Sequence, residues 1–517
     1  MQFFVGLVNA RRLSLRLLVV VLAIGVAGCE RDSGPLTMGL LKEVSPLPNP
    51  LDSPYADCMQ VVHLQDIRDW PSDLPTPPEE GVLLIWPGFV DRKLTASASL
   101  IAGDAVTLQP VAMTAIDEEL RSTQRVDTLE GFTLPMYFAR EVEHIRDFRD
   151  PKEKIEAPRA AAVVPSLAEI LQAPFERKLN ADRQKIIAER VAALERMAGE
   201  HGGWEAWSAA THPFYYDLRK SLAASKASGL RHGHHVFERT YNHRFTDLLR
   251  LEEPPALKML VALDRELARK GIDLLVVPFP LKEEINASLF SDVGPAEGSL
   301  SPARLQCMHW LLKYDVEVVD LAPALREARD FRPWLYYDFD DHHPAQGGIE
   351  LAAEVIAKRL QRYKFKPVYK GLSRQLIEFE MPATYMKRFQ MRGEVTSYPA
   401  RQVVQSHGGF LPRSDKQSPV LLIGDSFTRV PMLYGVGHAG LREQIAFESG
   451  IFPRSMSIYG SAARIMRNLR REGPDYLEGV KVCVFVFAQY PMFETVDDDG
   501  RLQPSPKAEQ WEVAPLP

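Results

Sequence analysis

Val420-Leu-Leu-Ile-Gly424-Asp425-Ser426-Phe427 joins an unbroken apolar run to a glycine, an acid and a hydroxyl. Bulky apolar residues without alternation read as a strand buried on both faces, the kind found in parallel sheets. Gly424 permits a tight backbone at the strand's end and Ser426 can open a helix. The serine Oγ then projects into the crevice beyond the carboxyl end of the strand, where such sheets bind ligands, and its own N–H points at a developing oxyanion. The same alternation recurs on either side. A helical stretch, Ala256 to Lys270, leads into the strand Ile272-Asp-Leu-Leu-Val-Val-Pro278, and a second helix precedes Val316-Glu-Val-Val-Asp320. A third carries Ala352-Ala-Glu-Val-Ile-Ala-Lys-Arg-Leu360, and another apolar strand runs from Val480 to Phe487. Continuous apolar strands separated by helices predict an α/β domain over residues 256–517, with a parallel sheet flanked by helices.

A serine alone is a weak nucleophile. It needs a histidine to take its proton and a carboxylate to hold that histidine's tautomer. Both residue types stand in Tyr336-Tyr337-Asp338-Phe339-Asp340-Asp341-His342-His343-Pro344, just before the third helix. An aspartate beside an imidazole can bind Nδ1 and leave Nε2 for the serine. Asp-rich loops also cap helices routinely, so the block gains weight from falling on a loop of the same sheet as the serine.

The rest of the chain bounds the setting. At 517 residues it exceeds one ordinary hydrophobic core. The 62 basic residues against 68 acidic ones give a net charge of −6 with no basic block, which argues against a nucleic-acid partner. Arg11, Arg12 and Arg16 precede an apolar run from Leu17 to Gly28 that is too short to span a bilayer and suits a signal sequence, residues 1–28. It closes on Val26-Ala27-Gly28-Cys29, which resembles the lipobox of bacterial lipoproteins and makes Cys29 the expected lipidation site. Glu30 is not the aspartate that retains many such proteins in the inner membrane, so the expectation is a lipid anchor facing the periplasm, in the outer membrane ahead of the inner. Residues 29–54, rich in Pro, Ser and Gly, read as a tether. Residues 55–143 carry short β-type runs separated by turns and predict a small β-rich accessory domain. Trp86 and Phe89 in it are either an aromatic glycan platform or core. Residues 144–255 read as a helical connecting region. Its Arg231-His232-Gly-His234-His235 with His243 lacks a carboxylate or thiolate at ligand spacing, so no metal is expected and a polar loop is the preferred reading. Cys58, Cys307 and Cys483 are odd in number, so they imply no disulfide framework, and none has an assigned role in catalysis.

The serine turn and the Asp/His block together resemble the SGNH hydrolase superfamily, in the form found in the alginate O-acetyltransferase proteins of the bacterial periplasm. There too the Asp/His block precedes Gly-Asp-Ser, an order permuted relative to most SGNH hydrolases. Val276-Val-Pro-Phe-Pro-Leu-Lys282 resembles the family's strand ending in a proline-lysine loop, and Val318-Val-Asp320 its next strand. The resemblance implies an SGNH (flavodoxin-like) fold. The alginate proteins write Asp-x-His-Trp and ordinary SGNH enzymes Asp-x-x-His-Pro; both spellings select His343, with Asp341 ahead of Asp340 as its orienter. Asp340 with His342 is the alternative pair. For the oxyanion hole the resemblance implies a glycine and an asparagine. Gly460 fits the first, and Gln489 stands where the asparagine is expected and can donate through its amide. Lys282 is either a partner for a polysaccharide carboxylate or a surface charge.

The resemblance implies a Ser426-dependent O-acyltransferase, O-acetyl by expectation, acting on an exported polysaccharide and supplied by a membrane-bound acetyl-donor protein, with no cofactor. The competing expectations are a carbohydrate acetyl-esterase with the same triad and a non-catalytic polysaccharide-binding envelope lipoprotein.

Overall fold

The computed structural model describes residues 36–50, 56–129, 134–145, 167–172, 181–211, 229–232, 235–238, 255–286, 302–332, 334–337, 342–381, 397–412, 415–459, 462–488, 495–496, 502–503, 511, 513 and 516. The signal sequence and Cys29 lie outside these residues, as do His234 and His243. Among the described residues no helix is long and apolar enough to cross a membrane, and no three His, Cys, Asp or Glu side chains gather as a metal site.

The N-terminal strands are β1 (Thr37–Val44), β2 (Cys58–Arg68), β3 (Val82–Val90), β4 (Ala105–Ala112) and β5 (Met136–Ile145). They pair in the order β1-β2-β3-β5-β4, and β4 returns to β1, which closes a barrel. All contacts are antiparallel except β3 with β5. Side chains alternate between two faces of the pleat. Leu41, Val62, Leu84, Trp86, Val106 and Tyr137 fill the interior. Met59, Val61, Leu83, Ile85 and Phe138 lie on the outer face beneath Ile116, Leu129 and Leu134 of the β4–β5 connection.

Two expectations need correction here. Thr37–Val44, assigned to the tether, is the strand that completes the barrel; Leu41 fills the interior while Lys42 faces water. Trp86 and Phe89 are fully buried, and the Trp86 Nε1 donates to Gln60 Oε1 at 2.9 Å, so they are core and form no glycan platform.

The C-terminal part contains β6 (Asp273–Phe279), β7 (Glu317–Val318), an antiparallel hairpin of β8 (Ser373–Glu380) and β9 (Ser397–Val404), then β10 (Val420–Gly424), β11 (Arg454–Ser457) and β12 (Val482–Ala488). Five of these form one sheet in the order β7-β6-β12-β10-β11, with every pair parallel. The α/β expectation holds. The flavodoxin-like label does not carry over directly, because that order is 2-1-3-4-5 in chain sequence and this sheet reads 2-1-5-3-4 from β6. Counting from the serine strand β10 restores 2-1-3-4-5, with the hairpin lying in the connection that leads into β10.

Both faces of the sheet are buried, as the apolar runs require. Leu421, Ile423, Leu274, Val276, Cys483 and Phe485 pack on one side. Val420, Leu422, Leu275, Val277, Val484 and Val486 pack on the other. Each fully buried aliphatic side chain contributes roughly 1.5–3 kcal/mol, so a polar residue inside β10 would be costly. The first side is covered by α1 (Ala181–Glu200), α2 (Pro255–Arg269) and α3 (Pro302–Lys313), the second by α4 (Gln346–Leu360) and α5 (Leu441–Ser449). Helix α1 is therefore part of this domain's core and not a connector. Its buried Arg183 donates to Leu274 O at 3.2 Å and Asp315 O at 2.9 Å, tying the helix to β6 and to the turn before β7. The buried thiols of Cys58 and Cys307 are pushed up to about 12 by burial, and Cys483 is raised for the same reason, which suits apolar packing residues.

Candidate active site

Strand β10 is central in the sheet, between β12 and β11, and delivers Gly424-Asp425-Ser426 to its carboxyl edge. Gly424 is required by space: a Cβ there would lie 2.0 Å from Val486 O and 2.6 Å from Thr428 Cγ2. Asp425 is extended, and its carboxylate ties two elements together. Oδ1 accepts from Phe427 N at 3.0 Å and Oδ2 accepts from Ala488 N at 3.0 Å. Ser426 then opens a single 3-10 turn, Ser426–Thr428. Thr428 Oγ1 lies 2.7 Å from Asp425 O and 2.6 Å from Ser457 Oγ at the end of β11. The serine turn is thus fastened to both neighbouring strands, and Ser426 is only 4% exposed.

His343 arrives from the loop before α4. Leu335 O accepts from Ala345 N at 3.0 Å and Trp334 O from Gly347 N at 2.8 Å, so residues 334–336 strap the start of the helix. Gly348 makes this approach possible, since a Cβ there would sit 2.3 Å from Leu335 O. The strap sets the imidazole in place: His343 Nε2 lies 2.7 Å from Ser426 Oγ. Phe427 packs against the ring at 5.0 Å between centroids, and His342 stacks on it at 4.6 Å. The imidazole that meets the serine is therefore that of His343, while His342 is its stacking neighbour. Tyr434 OH stands 3.5 Å from His343 Nδ1, at the outer edge of hydrogen-bonding range. Asp341 and Asp340 lie outside the described residues, as do Gly460 and Gln489.

Lys282 falls in the short helix Lys282–Ile285 directly after β6, whose last residue Phe279 is in register with Ala488 of β12. It is 1% exposed, so the surface-charge reading is excluded. A buried ionic chain surrounds this turn. Arg304 donates to Glu284 Oε1 at 2.9 Å and to Asp320 Oδ1 at 2.8 Å, and Arg190 also pairs with Asp320. Burial pushes the Asp320 carboxyl up, but the two guanidinium groups outweigh it and hold it below the ordinary range. Burial, with Glu284 and Glu283 adding to it, raises the Tyr336 hydroxyl well above its usual value. That phenol stays neutral and donates to Pro280 O at 2.8 Å.

Residues 247–435 match the family described as the SGNH hydrolase-like domain of the acetyltransferase AlgX, a span that contains both His343 and Ser426. This stretch is SGNH hydrolase-like. The match leaves out the barrel and strands β11 and β12, so the SGNH-like region supplies the serine and histidine, and sequence beyond it completes the sheet. Among solved structures the chain is similar to the O-acetyltransferase domain of Pseudomonas putida AlgJ, with 15% identity over 46% of this chain and 82% of that one, at a TM-score of 0.36. Pseudomonas aeruginosa AlgX follows with 19% identity over 51% and 62%, TM-score 0.36. Bacillus cereus PatB1 with a sulfonyl adduct shows 11% identity over 47% and 88%, TM-score 0.31. No curated protein matches the chain.

Sequence reading alone missed Thr428, Ser457 and Tyr434 and gave Asp425 no role. Asp425 had a signal, since an acid beside a tight turn commonly accepts from the backbone two residues on. Ser457 and Tyr434 had none, because they reach the serine and histidine only through the folded sheet.

Proposed function

We propose that this protein is a serine-dependent O-acyltransferase that moves acetyl groups onto an exported polysaccharide. The observation that carries the reading is the 2.7 Å contact of His343 Nε2 with Ser426 Oγ at the carboxyl edge of a parallel sheet, which is general-base distance. The acetyltransferase description of the matching family supports acetyl as the group, and the resemblance in motif order to alginate O-acetyltransferases supports a polysaccharide acceptor.

The proposed steps start from that contact. Ser426 Oγ attacks the carbonyl of an acetyl donor while His343 Nε2 takes its proton. The tetrahedral oxyanion collapses, the donor's oxygen or sulfur leaves with that proton, and acetyl-Ser426 remains. A sugar hydroxyl then gives its proton to His343 and attacks the acetyl carbon; as the bond from the acetyl carbon to Ser426 Oγ breaks, His343 returns the proton to Ser426, which frees both groups for the next cycle. Asp341 is the proposed carboxylate that holds the imidazole, as the motif order implies. The Ser426 N–H is the proposed backbone donor to the oxyanion, with Gly460 and Gln489 as its companions. Lys282 enters the same proposal only as a partner for a sugar carboxylate, a role taken from the resemblance.

The setting belongs to the same proposal: lipidation at Cys29, the periplasmic face of the envelope, and a membrane-bound donor of acetyl groups. Purified protein given an activated acetyl ester and an acceptor oligosaccharide tests the reading. Acetylated sugar lost in Ser426→Ala supports transfer. Acetate release alone indicates an esterase, and turnover that survives Ser426→Ala removes the serine from the chemistry.

A further inference from the structure

The connection between β4 and β5 has two faces. One covers the outer surface of β2, β3 and β5 with Ile116, Leu129 and Leu134. Barrels of this five-stranded Greek-key kind bind oligosaccharides across the outer face of strands 2 and 3, but here that face is already covered. The other face grips the chain that follows β11. Ser122 O accepts from Tyr459 N at 3.1 Å. Beyond Tyr459 comes α6 (Ile465–Glu472), and Arg121 pairs with Glu472 at 2.7 Å. Asp127 receives Arg471 Nε at 2.9 Å and Nη2 at 3.2 Å, with Arg467 Nη1 at 3.7 Å. Leu129 O accepts from both arginines, at 2.8 Å from Arg471 and 2.5 Å from Arg467. Arg125 is buried beside the cluster.

The gripped chain is also bound to the serine turn. Ile458 N donates to Gly424 O at 3.1 Å, and Ser457 Oγ meets Thr428 Oγ1 at 2.6 Å. A buried ion pair is a poor source of net stability, since desolvation offsets most of its attraction. A two-pronged arginine–carboxylate contact does fix orientation. We infer that the barrel is a positioning element of the active site: its segment 121–129, with Asp127 as the anchoring residue, sets the end of β11 and thereby the Ser426 turn. The inference rests on Ser426 being the nucleophile.

The test compares full-length wild type with Asp127→Asn, Asp127→Glu and Arg467→Lys. It measures kcat and KM on an activated acetyl ester, the rate at which a sulfonyl fluoride labels Ser426, and thermal unfolding. Displacing reacting groups by about 1 Å can cost on the order of a hundredfold, so a partial loosening should lower kcat about tenfold in Asp127→Asn. Labelling should slow in parallel, KM should stay close to wild type, and Asp127→Glu should recover part of the rate. Arg467→Lys, the milder change if Asp127→Asn does not fold, should show a smaller parallel loss. Folded variants with wild-type kcat and labelling, even with a lowered melting temperature, overturn the inference and leave the barrel a spacer. Ser426→Ala is measured alongside; turnover that survives in it refutes the nucleophile reading, and this inference with it.

Discussion

Replacing Gly424 by alanine should damage the enzyme more than any comparable surface change. The added Cβ would lie 2.0 Å from Val486 O and 2.6 Å from Thr428 Cγ2. Thr428 Cγ2 can turn away only by disturbing the hydroxyl that sits 2.7 Å from Asp425 O and 2.6 Å from Ser457 Oγ. Val486 O is backbone of β12, so strand must part from strand by about 1 Å before the contact becomes tolerable, which is the scale of overpacking that costs about 1–3 kcal/mol. The movement falls at the residue two before Ser426, and a misplacement of that size can lower the rate about a hundredfold. Chemical denaturation and steady-state turnover of Gly424→Ala would measure the two effects. Gly437→Ala is the control, since nothing lies within 4 Å of its Cβ position, and it should match wild type in both assays. A Gly424→Ala protein with unchanged stability and turnover would refute the claim that close packing against β12 sets the serine.

Asp425→Ala removes the acceptor that holds both Phe427 N and Ala488 N. At about 1.5–3 kcal/mol for a hydrogen bond to a charged group, it should lower stability by a few kcal/mol and turnover with it, whereas Asp425→Asn, which keeps one acceptor, should lose less; equal behaviour of the two would count against the tie. Acidification should loosen the fold at Asp127 and Asp320, whose folded-state carboxyls are held low: burial alone would raise them, and their arginine partners outweigh it. The unfolded chain then binds more protons, so their contribution is present above about pH 4 and disappears as the pH falls through the folded values. Unfolding midpoints for wild type and Asp127→Asn should therefore converge as the pH drops below about 4, and a constant gap down to the acid transition would contradict the assignment.

The catalytic half of the fold was legible because its signals are local. An apolar run ending in Gly424-Asp425-Ser426 announces a buried strand and its turn, and His343-Pro344 before an alanine-rich helix announces the second half of the site. The barrel was legible only as a set of short strands. Its closure depends on β1, which lies in a Pro- and Gly-rich stretch that reads as a tether, and on the parallel pairing of β3 with β5, which no local pattern encodes. Lys282 also defied its composition: a lysine is expected at the surface, and here a turn packed at the sheet's edge buries it. The Asp127–Arg471 contact joins residues 344 positions apart and has no trace in the sequence at all.

The central claim is that Ser426 carries the acyl group with His343 as its base. The direct measurement is to mix wild type, Ser426→Ala and His343→Gln with an activated acetyl ester, quench rapidly in acid, digest, and locate the acetyl group by mass spectrometry. The account predicts one acetyl on the Ser426 peptide of the wild type, none on that peptide in Ser426→Ala, and strongly slowed acetylation in His343→Gln. Acetyl transfer at the wild-type rate by Ser426→Ala, or an acetyl group trapped on another residue that turns over as fast as product forms, would contradict it.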